Sequence, residues 1–160
     1  MENSIDRAYE ALRDAEFTLE LLEQCEDDNR RFRILFVACM TLLSTVGQVL
    51  ARENGNVDIK KAVKEIFDEH KTNEEKHDIY FKFIKQERGM IIHEYDVNLP
   101  ERDTALVMKQ GNEAYLFEPG DLYKPLADDN YWGNEDVRDL IQQAIDWWKN
   151  QLQIIEDKLV

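Results

Sequence analysis

The sequence predicts a mainly α protein: a bundle of about five helices with a β-hairpin insertion before the last helix. Two observations carry this expectation. Five segments place apolar residues at i, i+3 and i+4 with acids opposite, the period of a helix with one buried face. Between the fourth and fifth of them the texture changes to two short β-prone runs around Gly111-Asn112. Composition agrees, because 43% hydrophobic and 34% charged residues describe a globular chain rather than a disordered one. A length of 160 residues fits one domain, 1–160, with residues 96–133 as the hairpin-and-loop insertion.

The elements come in this order. Residues 4–24 bring Ile5, Ala8, Leu12, Ala15, Leu19 and Leu22 to one face, and Asn3 or Ser4 can cap the helix. The stretch CEDDN interrupts the pattern, and Asp28 or Asn29 can cap a second helix over about 29–53. That helix is apolar around most of its circumference through residues such as Phe32, Phe36, Cys39, Leu43, Val46 and Leu50, which suits the middle of a bundle. Gly55 is the expected C′ residue. A shorter helix over 57–70 turns Ile59, Val63, Ile66 and Phe67 inward. Thr72-Asn73-Glu74-Glu75 has the form of a capping box for a fourth helix, which buries Ile79, Phe83, Ile84 and Ile91 and fades after Tyr95, before Pro100. The hairpin comes next, at 104–118. Glycine first in a two-residue loop suits a type II′ turn, in a register that sets Met108 against Tyr115 and Leu106 against Phe117. A lone hairpin is marginally stable, so it is expected to lie on the helices or on a partner. Pro119-Gly120, Pro125 and Asp128-Asp129-Asn130 predict a loop, and the last helix is expected over about 135–158 with Leu140, Ile141, Ala144, Ile145, Trp148 and Leu152 inward.

Charge narrows the function. At a net −14 the overall field repels nucleic acid and acidic membranes, so a phosphate ligand needs a local basic patch. The apolar stretch Ile34–Met40 is too short to span a bilayer. The acidic, polar start MENSIDRAYE lacks the regions of a signal peptide, so a cytoplasmic protein with no membrane partner is expected. Cys25 and Cys39 read as reduced, structural thiols.

The stretch ERGMIIHEY holds the main chemical candidates, Arg88 and His93. Residues five apart on a straight α-helix point about 140° away from each other. They meet only if the backbone is disturbed at Gly89, or if the pair converges with the same pair of a second subunit across a two-fold axis. Gly89 itself costs roughly 1 kcal/mol against Ala inside a helix, a cost easier to understand where another backbone or a phosphate comes close. Arg88-x4-His93-x-Tyr95 resembles the R-x4-H-x-Y signature of HEPN (higher eukaryote and prokaryote nucleotide-binding) domains. The likeness extends to the long apolar second helix and covers roughly residues 5–95, with the last helix fitting more loosely.

The resemblance implies a metal-independent endoribonuclease without cofactor, often a toxin or defence protein, whose site forms in a homodimer and whose ligand is RNA. It implies that His93 acts as general base or acid on the ribose 2′-hydroxyl or the leaving oxygen. Arg88 would hold the scissile phosphate. Tyr95 would match the tyrosine that a partner nucleotidyltransferase modifies in one toxin–antitoxin branch; its other reading is an interfacial aromatic. Two features depart from the family pattern. Active members usually carry Asn or another polar residue where Gly89 stands, and Glu87 and Glu94 flank the motif in a strongly acidic chain. Both fit the alternative function, a catalytically silent HEPN-like module that binds a protein or nucleotide, with the hairpin as lid or docking surface.

Other constellations have blander readings. Glu74-x-x-His77 shares a helix face as in di-iron bundles, but no second copy exists; with Glu69, His70 and Asp78 near, it is a weak site for a divalent ion beside the simpler expectation of a solvated helix start. Arg30, Arg31 and Arg33 either attract RNA or pair with Glu26, Asp27, Asp28 or acids on other helices. Trp132, Trp147 and Trp148 are interface or base-stacking candidates; adjacent on a helix, Trp147 and Trp148 cannot both be central to the core.

Overall fold

The computed structural model describes residues 3–25, 28–99, 106–117, 124–126 and 131–160, with 106–108 and 115–117 described by their backbone alone. Five α-helices and one hairpin appear in the expected order. Helix α1 spans Ser4–Glu23, α2 Asn29–Ala51, α3 Val57–Thr72, α4 Lys85–Glu94 and α5 Val137–Asp157; strands β1 (Leu106–Gln110) and β2 (Glu113–Phe117) precede α5.

The helix starts reflect local chemistry. Asn3 accepts from the N–H groups of Ile5 and Asp6 while Asp6 reaches back to the Asn3 N–H, a complete capping box on α1. Asp28 caps α2, Asn56 caps α3 and Asp136 caps α5 through side-chain oxygens. The apolar faces then close on one core. Ile5, Leu12 and Leu22 of α1, Phe36 and Leu43 of α2, Ile59 and Val63 of α3, and Ile141, Trp148 and Leu152 of α5 are all buried. At about 25 cal/mol per Å² of apolar surface removed from water, this shared interior is what holds the helices together.

Helix α2 is central, since it touches α1, α3, α4 and α5. Its length and composition alone would suffice to cross a bilayer; within the fold one stripe of it stays uncovered instead. Ile34 is 55% exposed, Ala38 and Thr41 are exposed, and Val37, Leu42 and Val49 are half-buried.

Several local expectations are corrected. Gly55 is not the C′ residue: α2 ends at Ala51, and Gly55 has no positive φ. Glu53 makes that corner instead. Its carboxylate, 5% exposed, accepts from the N–H groups of Ser4 (2.9 Å), Gly55 (2.7 Å) and Asn56 (3.0 Å), tying the start of α1 to the α2–α3 turn. The capping box at Thr72 does not form. Helix α3 runs on through Thr72, whose hydroxyl donates back to the Asp68 carbonyl, and Asn73 donates to Glu69. The chain then makes a 3₁₀ turn over Glu74–His77 and a π-helical stretch over Ile79–Ile84, which hands over to α4. Pro125, expected in a loop, pairs with Asp136 in an isolated bridge at the start of α5.

The hairpin keeps the expected register, Met108 opposite Tyr115 and Leu106 opposite Phe117. Gly111 has φ +63° and Asn112 is not among the positive-φ residues, as a type II′ turn requires. Among the described residues neither strand touches a helix, which leaves a partner as the expected support for the hairpin. Residues 104, 105 and 118, Glu26 and Asp27, Pro100, Pro119-Gly120 and Asp128-Asp129-Asn130 lie outside the described residues.

Candidate functional site

Helix α4 carries the motif. It is regular from Lys85 to Glu94, so the backbone is not disturbed at Gly89; the disturbance lies one turn earlier, in the π-helical stretch. A regular helix keeps Arg88 and His93 about 140° apart. His93 is exposed and lines an open groove of about 670 Å³ together with Gly89, Met90 and Glu94. Arg88 is half-buried and does not line that groove. Its guanidinium is near enough to Tyr80 to draw that phenol down, against the burial that on balance raises it. One copy of the chain therefore does not bring the two side chains to a shared target.

The groove is acidic on balance. Glu74, Glu75, Asp78 and Glu94 line it against Lys82 and Lys85. Lys82 pairs with Asp78 at 3.2 Å and sits 3.9 Å from the centre of the Tyr131 ring, whose hydroxyl donates to Asp78. Gly89 opens onto this space: beyond its own helix backbone and chain neighbours, no atom of the described residues lies within 4 Å of the place where a Cβ would stand. Among the described residues of one copy, then, no backbone outside α4 approaches Gly89.

Tyr95 ends α4 in the left-handed region, φ 50° and ψ 33°, a conformation that costs a non-glycine residue of order 1–3 kcal/mol. Its ring is 61% exposed, and Arg33 of α2 lies 5.1 Å from the ring centre. This contact links the basic cluster to the motif. Arg30, Arg31 and Arg33 are all exposed and, among the described residues, form no ion pair. Ile92, next to His93, is 50% exposed.

Glu87 flanks the motif in the sequence, yet it is fully buried and accepts from Asn98 at 3.4 Å. A signal for this is legible: Phe83, Glu87 and Ile91 stand four apart, so Glu87 falls on the buried line of the helix.

Glu74 and His77 do not form a unit. Glu74 is exposed on the groove, whereas His77 is 9% exposed and turned the other way. His77 Nε2 lies 2.9 Å from Glu69 Oε2, and His77 Nδ1 accepts from the Trp147 indole N–H at 3.1 Å. His70, 3% exposed, meets Gln151 Oε1 through Nε2 at 2.7 Å. Burial pulls the His70 pKa down, as does the neighbouring His77, while Gln151 and Glu69 act in the opposite sense. Of the expected solvated helix start, Glu74, Glu75 and Lys76 are exposed, while His77 turns into a buried polar cluster with His70. Ile66 and His70 stand four apart on the inward line of α3, a signal that places His70 inside.

Trp148 is fully buried and packs on Gly47 of α2. Trp147 is half-buried, stacked on Tyr80 with ring centres 5.2 Å apart, so its faces are largely engaged within the chain. Trp132 is partly buried against the core, edge-on to the exposed ring of Tyr131. No protein-family model, curated protein or solved structure matches this chain.

Proposed function

We propose that the chain is a HEPN-type, metal-independent endoribonuclease that acts as a homodimer through Arg88 and His93. The observation that carries the proposal is the regular helix α4: it presents His93 on an open groove and Arg88 away from that groove, and in this reading the pair of a second copy completes the site around one phosphate. Ile92 and Tyr95 offer exposed apolar surface for that pairing, and the open side of Gly89 allows close approach. In the reaction, His93 takes the proton of the ribose 2′-hydroxyl as the 2′-oxygen attacks phosphorus. Arg88 balances the charge growing on the phosphate oxygens. The bond to the 5′-oxygen breaks and that oxygen takes a proton from a protonated His93 or from water, leaving a 2′,3′-cyclic phosphate on one fragment and a 5′-hydroxyl on the other. Arg30, Arg31 and Arg33, exposed beside Tyr95, supply the local positive charge that an acidic chain needs to hold RNA. Before two copies pair, Tyr95, at 61% exposure, is open to a modifying nucleotidyltransferase.

The test is cleavage of mixed RNA by purified protein in EDTA. Expected are fragments with 2′,3′-cyclic ends, lost by at least about 100-fold in Arg88→Ala and in His93→Ala with folding intact. A second reading, a catalytically silent interaction module, is favoured by the acidic lining of the groove and by Gly89 at the position after the arginine. Wild-type protein that cleaves no RNA, yet associates through the same α4 face, establishes that reading instead.

A further inference from the structure

Away from the α4 groove, two of the three histidines are buried side by side, with ring centres 4.4 Å apart. Glu69 joins them at the solvent edge, and one ligand atom from each of the three residues lies within 4.8 Å of the others. Two imidazoles in a seam between α3 and α5 lose solvation that aliphatic side chains would not miss. Hydrogen bonds offset most of that loss. His70 gives its Nε2 proton to Gln151 Oε1, which leaves the lone pair on Nδ1, and among the described residues nothing donates to it. Trp147 donates to His77 Nδ1, so the His77 proton sits on Nε2 and goes to Glu69.

We propose that Glu69, His70 and His77 bind a divalent transition-metal ion, with Zn²⁺ the best match. Two imidazole nitrogens and one carboxylate form a borderline donor set that suits zinc and its neighbours rather than the all-oxygen shells of Mg²⁺ or Ca²⁺. A tetrahedral ion with bonds of about 2.0–2.1 Å sets its ligand atoms about 3.4 Å apart. The exposed Glu69 side chain and the short 3₁₀ turn that carries His77 are the parts able to close the remaining distance. Gln151 already holds His70 as an outer carbonyl holds a metal-bound imidazole, with the proton on the far nitrogen. His77 must change. Binding through Nε2 moves its proton to Nδ1, and the Trp147 N–H then leaves that nitrogen. The ion would clamp α3 to the turn that leads into α4, with no part in the chemistry of Arg88 and His93, and it reports its arrival through Trp147.

The experiment uses the full chain stripped of metal. Zn²⁺ affinity is read by competition with a chromophoric chelator, Co²⁺ by its visible absorption, and the Trp147 displacement by tryptophan fluorescence. Expected are one ion per chain, absorption bands of a tetrahedral Co²⁺ site, and a fluorescence change at the same equivalence. Glu69→Gln, on an exposed side chain that does not threaten folding, weakens binding by more than about tenfold, as does His70→Gln with its helix content checked. Glu74→Gln leaves affinity unchanged. Substoichiometric binding, or affinity that is unaltered in Glu69→Gln because the ion sits loosely on the acidic surface, overturns the proposal.

Discussion

Glu53 shows how much one side chain can organise. Ser4, whose hydroxyl and backbone N–H both face it, and the N–H groups of Gly55 and Asn56 hold its carboxyl at about 2, below the ordinary 4.5. A depressed carboxyl stabilises the fold fully above its unfolded value, and that contribution is lost as the pH falls from about 4.5 toward 2. Glu53→Gln should therefore cost about 2 kcal/mol in urea unfolding at pH 7, and the gap to wild type should narrow steadily below pH 4.5. A gap that stays constant down to pH 2.5 would refute the assignment. No periodicity marks Glu53, because its role is to satisfy N–H groups at two helix starts, one of them 49 residues away in the chain. The expectation for Gly55 fails for the same reason: a side chain, not a left-handed backbone, closes the corner.

Two glycines separate close packing from open space at the level of the helices. An added Cβ at Gly47 would stand 3.0 Å from Trp148 Cη2 and 3.2 Å from Cζ2, on the crossing of α2 and α5. Gly47→Ala should destabilise the bundle by about 1–3 kcal/mol through overpacking. Gly89→Ala should do the opposite in the isolated chain, stabilising it by about 0.5–1 kcal/mol, since its surroundings are empty and Ala favours helix. Thermal unfolding of the two variants at low concentration checks both signs. The helices and the caps at Asn3 and Asp28 are legible because they depend on spacing and on residues within one turn. The π-helical stretch at Ile79–Ile84 and the extension of α3 through Thr72 are not, because both depend on how the chain between α3 and α4 must turn to bury Phe83, Ile84 and His77 together.

For the whole molecule the decisive feature is the surface that the bundle leaves uncovered. Ile34 on α2 and Ile92 and Tyr95 on α4 are exposed, and the hairpin touches no helix among the described residues. In the homodimer reading, sedimentation should show a dimer at micromolar concentration, and Ile92→Glu should shift it toward monomer while cleavage falls in step. A monomeric wild type that still cleaves RNA would separate the activity from the two-fold pairing. The motif residues themselves are legible as residue types; that they diverge on one regular helix is a consequence of its 3.6-residue period, and where each then points depends on its neighbours.

The order of the elements, the caps of α1 and α2 at Asn3 and Asp28, and the hairpin register were set by the sequence alone, since each rests on contacts between residues near one another in the chain. Only the tertiary structure decided that His77 lies inside, which distant partners meet Glu87 and His70 on their buried lines, that Glu53 joins α1 to the α2–α3 turn, and that His93 and Arg88 face different surroundings. A polar side chain on a buried line is settled by its partners from distant segments, and a one-dimensional pattern does not contain those partners.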